Sequence, residues 1–181
     1  TIAPGKSAEF RFVLAWHFPK TTLPCPDAKT GNYYSKRFSD ATAVATYVAK
    51  ELPRLESLTR RWRDTWYDST LPHWFLERTF VNTSILATTT AHRFASGRFW
   101  GWEGIGCCEG TCTHVWHYAQ AMGRIFPELE RDQRERVDFG VGFADSNGMV
   151  RHRGENTGPA IDGHCGRILG VWREHQMSPD G

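Results

Sequence analysis

"DATAVATYVAKELPRLESLTRRW" (40–62) is where the chain changes its rhythm. Val44, Tyr47, Val48, Leu52, Leu55, Leu58 and Trp62 return every three or four residues, which places them along one side of a helix. Pro53 falls inside that stretch, and its missing N–H predicts a kink or a split. Upstream the period is two. "EFRFVLAWHFP" (9–19) puts Phe10, Phe12, Leu14, Trp16 and Phe18 at alternate positions, the pattern of a half-buried strand that Pro19 ends. Residues 20–40, with Pro24, Pro26, Gly31 and Asn32, read as a long loop between the two regimes.

Downstream the helical pattern recurs. In 68–94, Ser69 or Thr70 offers a cap and Pro72 lies near the first helical position, so a helix is predicted through Trp74, Phe75, Phe80 and Leu86. A Gly-rich loop follows over 97–110. "THVWHYAQAMGRIF" (113–126) predicts a helix with Val115, Tyr118, Ala119, Met122 and Phe126 on one face. Pro127 and two acids open another over 127–140, where negative charge suits a helix start. "GVGFADSNGMVRHRG" (140–154) predicts a hairpin around "SNG". A loop, "ENTGPAIDGHCG", then leads into the helix of "RILGVWREHQ". Near the end, Ser178 and Pro179 spell a helix start, so the chain is expected to be a fragment of something longer.

Composition narrows the functional classes. A chain of 181 residues with 40% hydrophobic and 23% charged residues is long enough to bury a core. A net charge of +2, with Lys and Arg dispersed among acids, gives no footprint for nucleic acid. No apolar run is long enough to span a membrane. Five cysteines, two of them adjacent, do not make a disulfide framework and point to a reducing, cytoplasmic compartment.

The densest chemistry is "FWGWEGIGCCEGTCTHVWHYAQ" (99–120). Cys108, Cys112, His114 and His117 have zinc-ligand types, but four ligands within ten residues leave little chain to wrap a tetrahedron. Cys112 beside a histidine has nucleophile chemistry, without a protease signature around it. Glu103 sits between Trp102 and Gly104, where an aromatic wall can stack a sugar ring and glycine lets backbone approach closely. The free N–H groups of a following helix would face whatever the loop holds. "RRWRDTWYDS" (60–69) fits helix-end packing with snorkelling arginines better than a saccharide platform, and no role is assigned to it.

Several blocks, in order, resemble family 116 of the glycoside hydrolases, the non-lysosomal glucosylceramidase and bacterial β-glucosidase family. "AWHFP" (15–19) is similar to that family's W-D-F-P, and "LPHWF" (71–75) to its L-P-x-W-Y. "WEG" (102–104) is similar to its L-E-G, and "FPELE" (126–130) to its W-P-K-L-E. The spacing from Glu103 to "YA" (118–119) matches as well.

The resemblance implies a mainly α chain. Residues 1–40 would hold the last strand or strands of an N-terminal β-sandwich and a linker, and 41–181 the N-terminal portion of an (α/α)6 toroid. It implies a retaining β-glycosidase acting on β-linked glucosides or glucosylceramide-like glycosides, with Glu103 as nucleophile and with no cofactor or metal. Trp102, Thr111, His114 and Asp162 are the candidate substrate contacts. His114 stands where the family has a sugar-binding Asp, which puts glucose specificity in doubt. The family's acid/base Asp would fall well past residue 181. Expected partners are a carbohydrate or glycolipid substrate, with no nucleic acid and no membrane-spanning segment. The alternative is a non-catalytic zinc- or carbohydrate-binding helical module.

Overall fold

A computed structural model describes residues 1–104, 106–155 and 157–180. The chain is mainly helical, with a few short strands. The expected loops after 97 and after 154 each include one position, Ile105 and Asn156, outside the described residues.

The long helix α1 runs Ala41–Tyr67. Asp40 caps it, its carboxylate accepting from Ala43 N at 2.8 Å, and that bond holds the Asp40 carboxyl below the usual range. The helix does not split at Pro53 but continues through it. Proline removes one backbone hydrogen bond here. Nearby, Arg54 donates to Glu51 at 2.7 Å and to the Tyr47 hydroxyl at 2.9 Å on the helix surface. α1 contains no buried residue, so most of its apolar stripe is only partly covered.

Several expectations are corrected downstream. The helix expected over 68–94 divides into α2 (His73–Thr79) and a 3-10 segment, Val81–Ala87. It is then replaced by strand β1 (Ala91–Arg93). β1 pairs antiparallel with β2 (Phe99–Gly101), inside what the sequence suggested was all loop. Gly97, at φ 99°, closes the turn and donates to Phe94 O at 2.8 Å. The predicted helix 113–126 is two short ones, α3 (Thr113–Trp116) and α4 (Ala121–Ile125). Met122 is buried, but Tyr118 and Phe126 point outward, so the expected single face does not exist.

The remaining elements follow the sequence more closely. α5 (Pro127–Asp132) leads into a π-helical stretch, Gln133–Val141. The hairpin around Ser146–Asn147–Gly148 forms, with β3 (Phe143–Ala144) antiparallel to β4 (Met149–Val150). α6 (Ile161–Met177) starts earlier than predicted and absorbs Asp162 into its first turn.

The β1–β2 hairpin divides the core. Alternation along a strand sends neighbours to opposite faces. Trp100 packs with Cys25, Ala28 and Phe94 on one side, with Trp102 against them. Phe99 packs with Trp116 and Met122 on the other. Gly101 makes room for the Trp116 indole, which a β-carbon there would strike.

A buried ionic cluster anchors α6. Arg134 donates to Asp138 at 2.6 Å, to Glu130 at 2.5 Å and to Glu174 at 3.2 Å. Arg167 pairs with Asp138 at 2.9 Å, and Arg173 with Glu130. Three guanidiniums thus face three carboxylates, which keeps the buried charge balanced.

The strand expected over 9–19 does not form. Phe10, Phe12, Leu14, Trp16 and Phe18 are 71%, 92%, 76%, 66% and 64% exposed. A strand needs a neighbouring ladder, and none of the described strands pairs with this segment. Its last residues are tethered instead: Phe18 N donates to the Tyr34 hydroxyl at 2.5 Å, and Asn32 Nδ2 to Phe18 O at 2.7 Å. No described helix is long and apolar enough to cross a membrane.

Candidate active site around Glu103

Trp102 N donates to Thr90 O at 2.8 Å, extending the β1–β2 ladder by one step. The chain then folds back on itself. Glu103 N donates to the carbonyls of Cys107 and Cys108 at 3.2 and 3.3 Å, which fixes the backbone of the acid. Cys108 and Thr111 both hold positive φ, 58° and 55°. That conformation is costly for a β-branched residue and collects at constrained loops.

Thr111 is buried, its hydroxyl accepting from Gly101 N at 3.0 Å and its carbonyl from Arg167 at 3.3 Å. Its side chain serves the loop. The opposite wall comes from 151–154, where Gly110 lets Arg153 approach closely. Arg153 lies 3.7 Å from Glu103 Oε1, with the acid's side chain 23% exposed.

Cys112 completes this corner. Burial pushes its thiol pKa up, a hydrogen bond with Glu103 pushes the same way, and Arg153 opposes. Cys107 and Cys108 lie with their sulfurs 2.8 Å apart, and the Cys108 thiol is pushed up to about 11, chiefly by that contact. All five cysteines are free.

His114 and Asp162, far apart in sequence, meet. His114 Nδ1 donates to Asp162 Oδ2 at 2.7 Å, and the imidazole holds that carboxyl below the usual range. Gly163 and Gly166 bring α6 close enough to α3 for this bond. The expected dipole contribution is small, because α3 has only four residues.

The four-ligand zinc run does not assemble as read. Among the described residues Cys112, His114 and His152 bring donor atoms within 4.8 Å of one another, without Cys108 or His117. His117 packs instead on Tyr118 and against Gly166, and burial lowers its pKa. His152 was missed because only the fold brings it alongside residue 114.

The larger hollows lie elsewhere. A cleft of about 1170 Å³ opens between α1, α2, the Val81–Ala87 segment and residues 115–125. Trp62, Trp66 and Phe80 line it, Trp66 stacking on Phe80 with centroids 3.8 Å apart. The "RRWRDTWYDS" stretch therefore faces a cavity as well as packing a helix end. Neither Glu103 nor Trp102 lines this cleft.

Residues 1–55 match the family described as beta-glucosidase 2, glycosyl-hydrolase family 116 N-term. Over this N-terminal segment the chain is therefore similar to family 116. The match to family 116 includes "AWHFP" (15–19) and ends within α1, so it reaches past the exposed aromatic arm into the helical part. No solved structure matches the chain.

Proposed function

We propose that this chain is part of a retaining β-glycosidase of family 116, acting on β-linked glucosides or glucosylceramide-like glycosides. The family match over residues 1–55 carries the reading. In it, residues 1–40 are the end of a β-sandwich with its linker, and 41–181 the first helices of an (α/α)6 toroid. The alternating apolar row at 10–18 then belongs in a ladder with neighbouring strands of that sandwich.

Glu103 is the proposed nucleophile. Its carboxylate oxygen attacks the anomeric carbon as the glycosidic C–O bond breaks, and the leaving oxygen takes a proton from a second carboxyl group. Water then opens the glycosyl ester, that second group now accepting the proton. Such a partner must sit about 5–5.5 Å from the nucleophile. The backbone clamp on Glu103 supports a positioned acid, with Arg153 3.7 Å away. Trp102 supplies a stacking edge, and the exposed Asp162 accepts from sugar hydroxyls while His114 orients it. Thr111 enters as a positioning residue, through Gly101.

The test is a 2-deoxy-2-fluoro-β-glucoside with a good leaving group, incubated with the full-length protein and followed by peptide mass spectrometry. A glycosyl adduct on Glu103 supports the assignment; an adduct on another carboxylate rejects it.

A further inference from the structure

We propose that Cys112, His114 and His152 form a binding site for a zinc-class divalent cation, held in place by Asp162 and the Gly158 carbonyl. The inference does not rest on the glycosidase reading and does not use Glu103, although His114 and Asp162, which that reading places at the sugar, take part in both.

The first observation is convergence. One donor atom from each of the three side chains falls within 4.8 Å of the others. Tetrahedral zinc, with Zn–N and Zn–S bonds of about 2.0–2.3 Å, needs donors about 3.3–3.7 Å apart. The trio has to contract by only about an ångström, a side-chain adjustment rather than a refolding.

The second observation is the state of the two rings. His114 Nδ1 faces a carboxylate oxygen at 2.7 Å, and His152 Nδ1 faces the Gly158 carbonyl at 2.8 Å. Both partners only accept, so each ring donates from Nδ1, which leaves Nε2 as the nitrogen available to a metal. Zinc-binding histidines are oriented in just this way, by a carboxylate or a backbone carbonyl on the other nitrogen. Two rings in one corner share this arrangement, and their centroids are 5.5 Å apart.

The third observation is rigidity. Thr113 N, between the first two ligands, donates to His152 O at 2.9 Å, and His152 N donates to Gly158 O at 3.1 Å. These bonds lock the two ligand-bearing segments side by side. Buried Cys112 adds the soft donor that selects zinc over calcium or magnesium. Three protein ligands leave a fourth position for water.

Metal-free full-length protein titrated with Co²⁺ tests the site. One equivalent should bind and produce a thiolate-to-cobalt charge-transfer absorption, which Zn²⁺ then erases. Cys112→Ser should abolish that absorption, and the Cys107→Ser, Cys108→Ser double variant should keep it. Asp162→Asn, a conservative change at an exposed side chain, should weaken binding by about 10–100-fold. A missing charge-transfer band overturns the proposal, as does a band that survives Cys112→Ser or an affinity indifferent to His152→Ala. Metal binding without glycoside turnover supports this site and counts only against the preceding reading.

Discussion

Gly163 of α6 lies so close to Thr113 at the head of α3 that a β-carbon there would run into the threonine hydroxyl. Gly166 meets the His117 side chain in the same way, and Gly170 leaves room for the Arg134 guanidinium. At these three positions α6 presents backbone without a side chain, and the helix comes near enough for Asp162 to reach His114.

Gly163→Ala gains up to about 1 kcal/mol of helix propensity and meets an overpacking penalty of about 1–3 kcal/mol. Thr113 is buried and cannot swing away, so the penalty wins. The midpoint of thermal unfolding should fall by a few degrees. A midpoint equal to wild type or higher would show that the two helices are not in this contact.

Glu155 binds the buried Arg98 through both oxygens, at 2.5 and 3.1 Å. Burial works against its ionisation, but the Arg98 hydrogen bond and charge win and its carboxyl is lowered. A depressed carboxyl adds stability above its unfolded value, about 4.3, and loses it as pH falls through the folded one. Glu155→Gln should cost roughly 3 kcal/mol at neutral pH, because it leaves a buried guanidinium short of a partner. Urea unfolding repeated at falling pH should show wild type converging on the variant below about pH 4. A constant gap across that range contradicts the linkage.

Arg134→Met removes one guanidinium from a balanced set of six charges and leaves three carboxylates facing two cations. The expected loss is about 3–5 kcal/mol, the range for breaking a buried pair from one side. Arg134→Lys keeps the charge but not the fork that reaches Glu130 and Asp138 together, so it should recover only part of that loss. Equal stability of the two variants would mean that charge alone matters here.

Glu103→Gln in the full-length protein should lower turnover of a β-glucoside by on the order of 10⁴-fold or more, as loss of a covalent nucleophile does. Its circular dichroism and unfolding midpoint should stay near wild type, since the Arg153 contact is long and partly exposed. Wild-type turnover in this variant would end the assignment.

The helical character after Asp40 was legible because α1 carries its own signal: a capping aspartate and an unbroken stripe from Val44 to Trp62. The hairpin around Asn147–Gly148 was legible for the same reason, its turn chemistry being local. β1 and β2 were not, although Ser96–Gly97 is a turn dipeptide between Thr-rich and aromatic residues. The apolar spacing that runs through Leu86 stays helix-like in sequence although the chain turns to strand at Ala91. Pro53 does not split α1, which runs through it from Ala41 to Tyr67. The loop that carries Glu103 stands out in the sequence by its composition of Gly, Trp and Cys. The His114–Asp162 and Cys112–His152 pairings come from segments that only tertiary packing brings together, and no spacing encodes them.

The bare aromatic arm at 10–18 has a practical consequence. Five large side chains point into solvent on a stretch whose backbone donors and acceptors lack a ladder. Two copies can zip together edge to edge along such a strip, burying the rings of both. Preparations of this polypeptide alone should turn cloudy as concentration or ionic strength rises, and should clear when lysines replace Phe12 and Leu14.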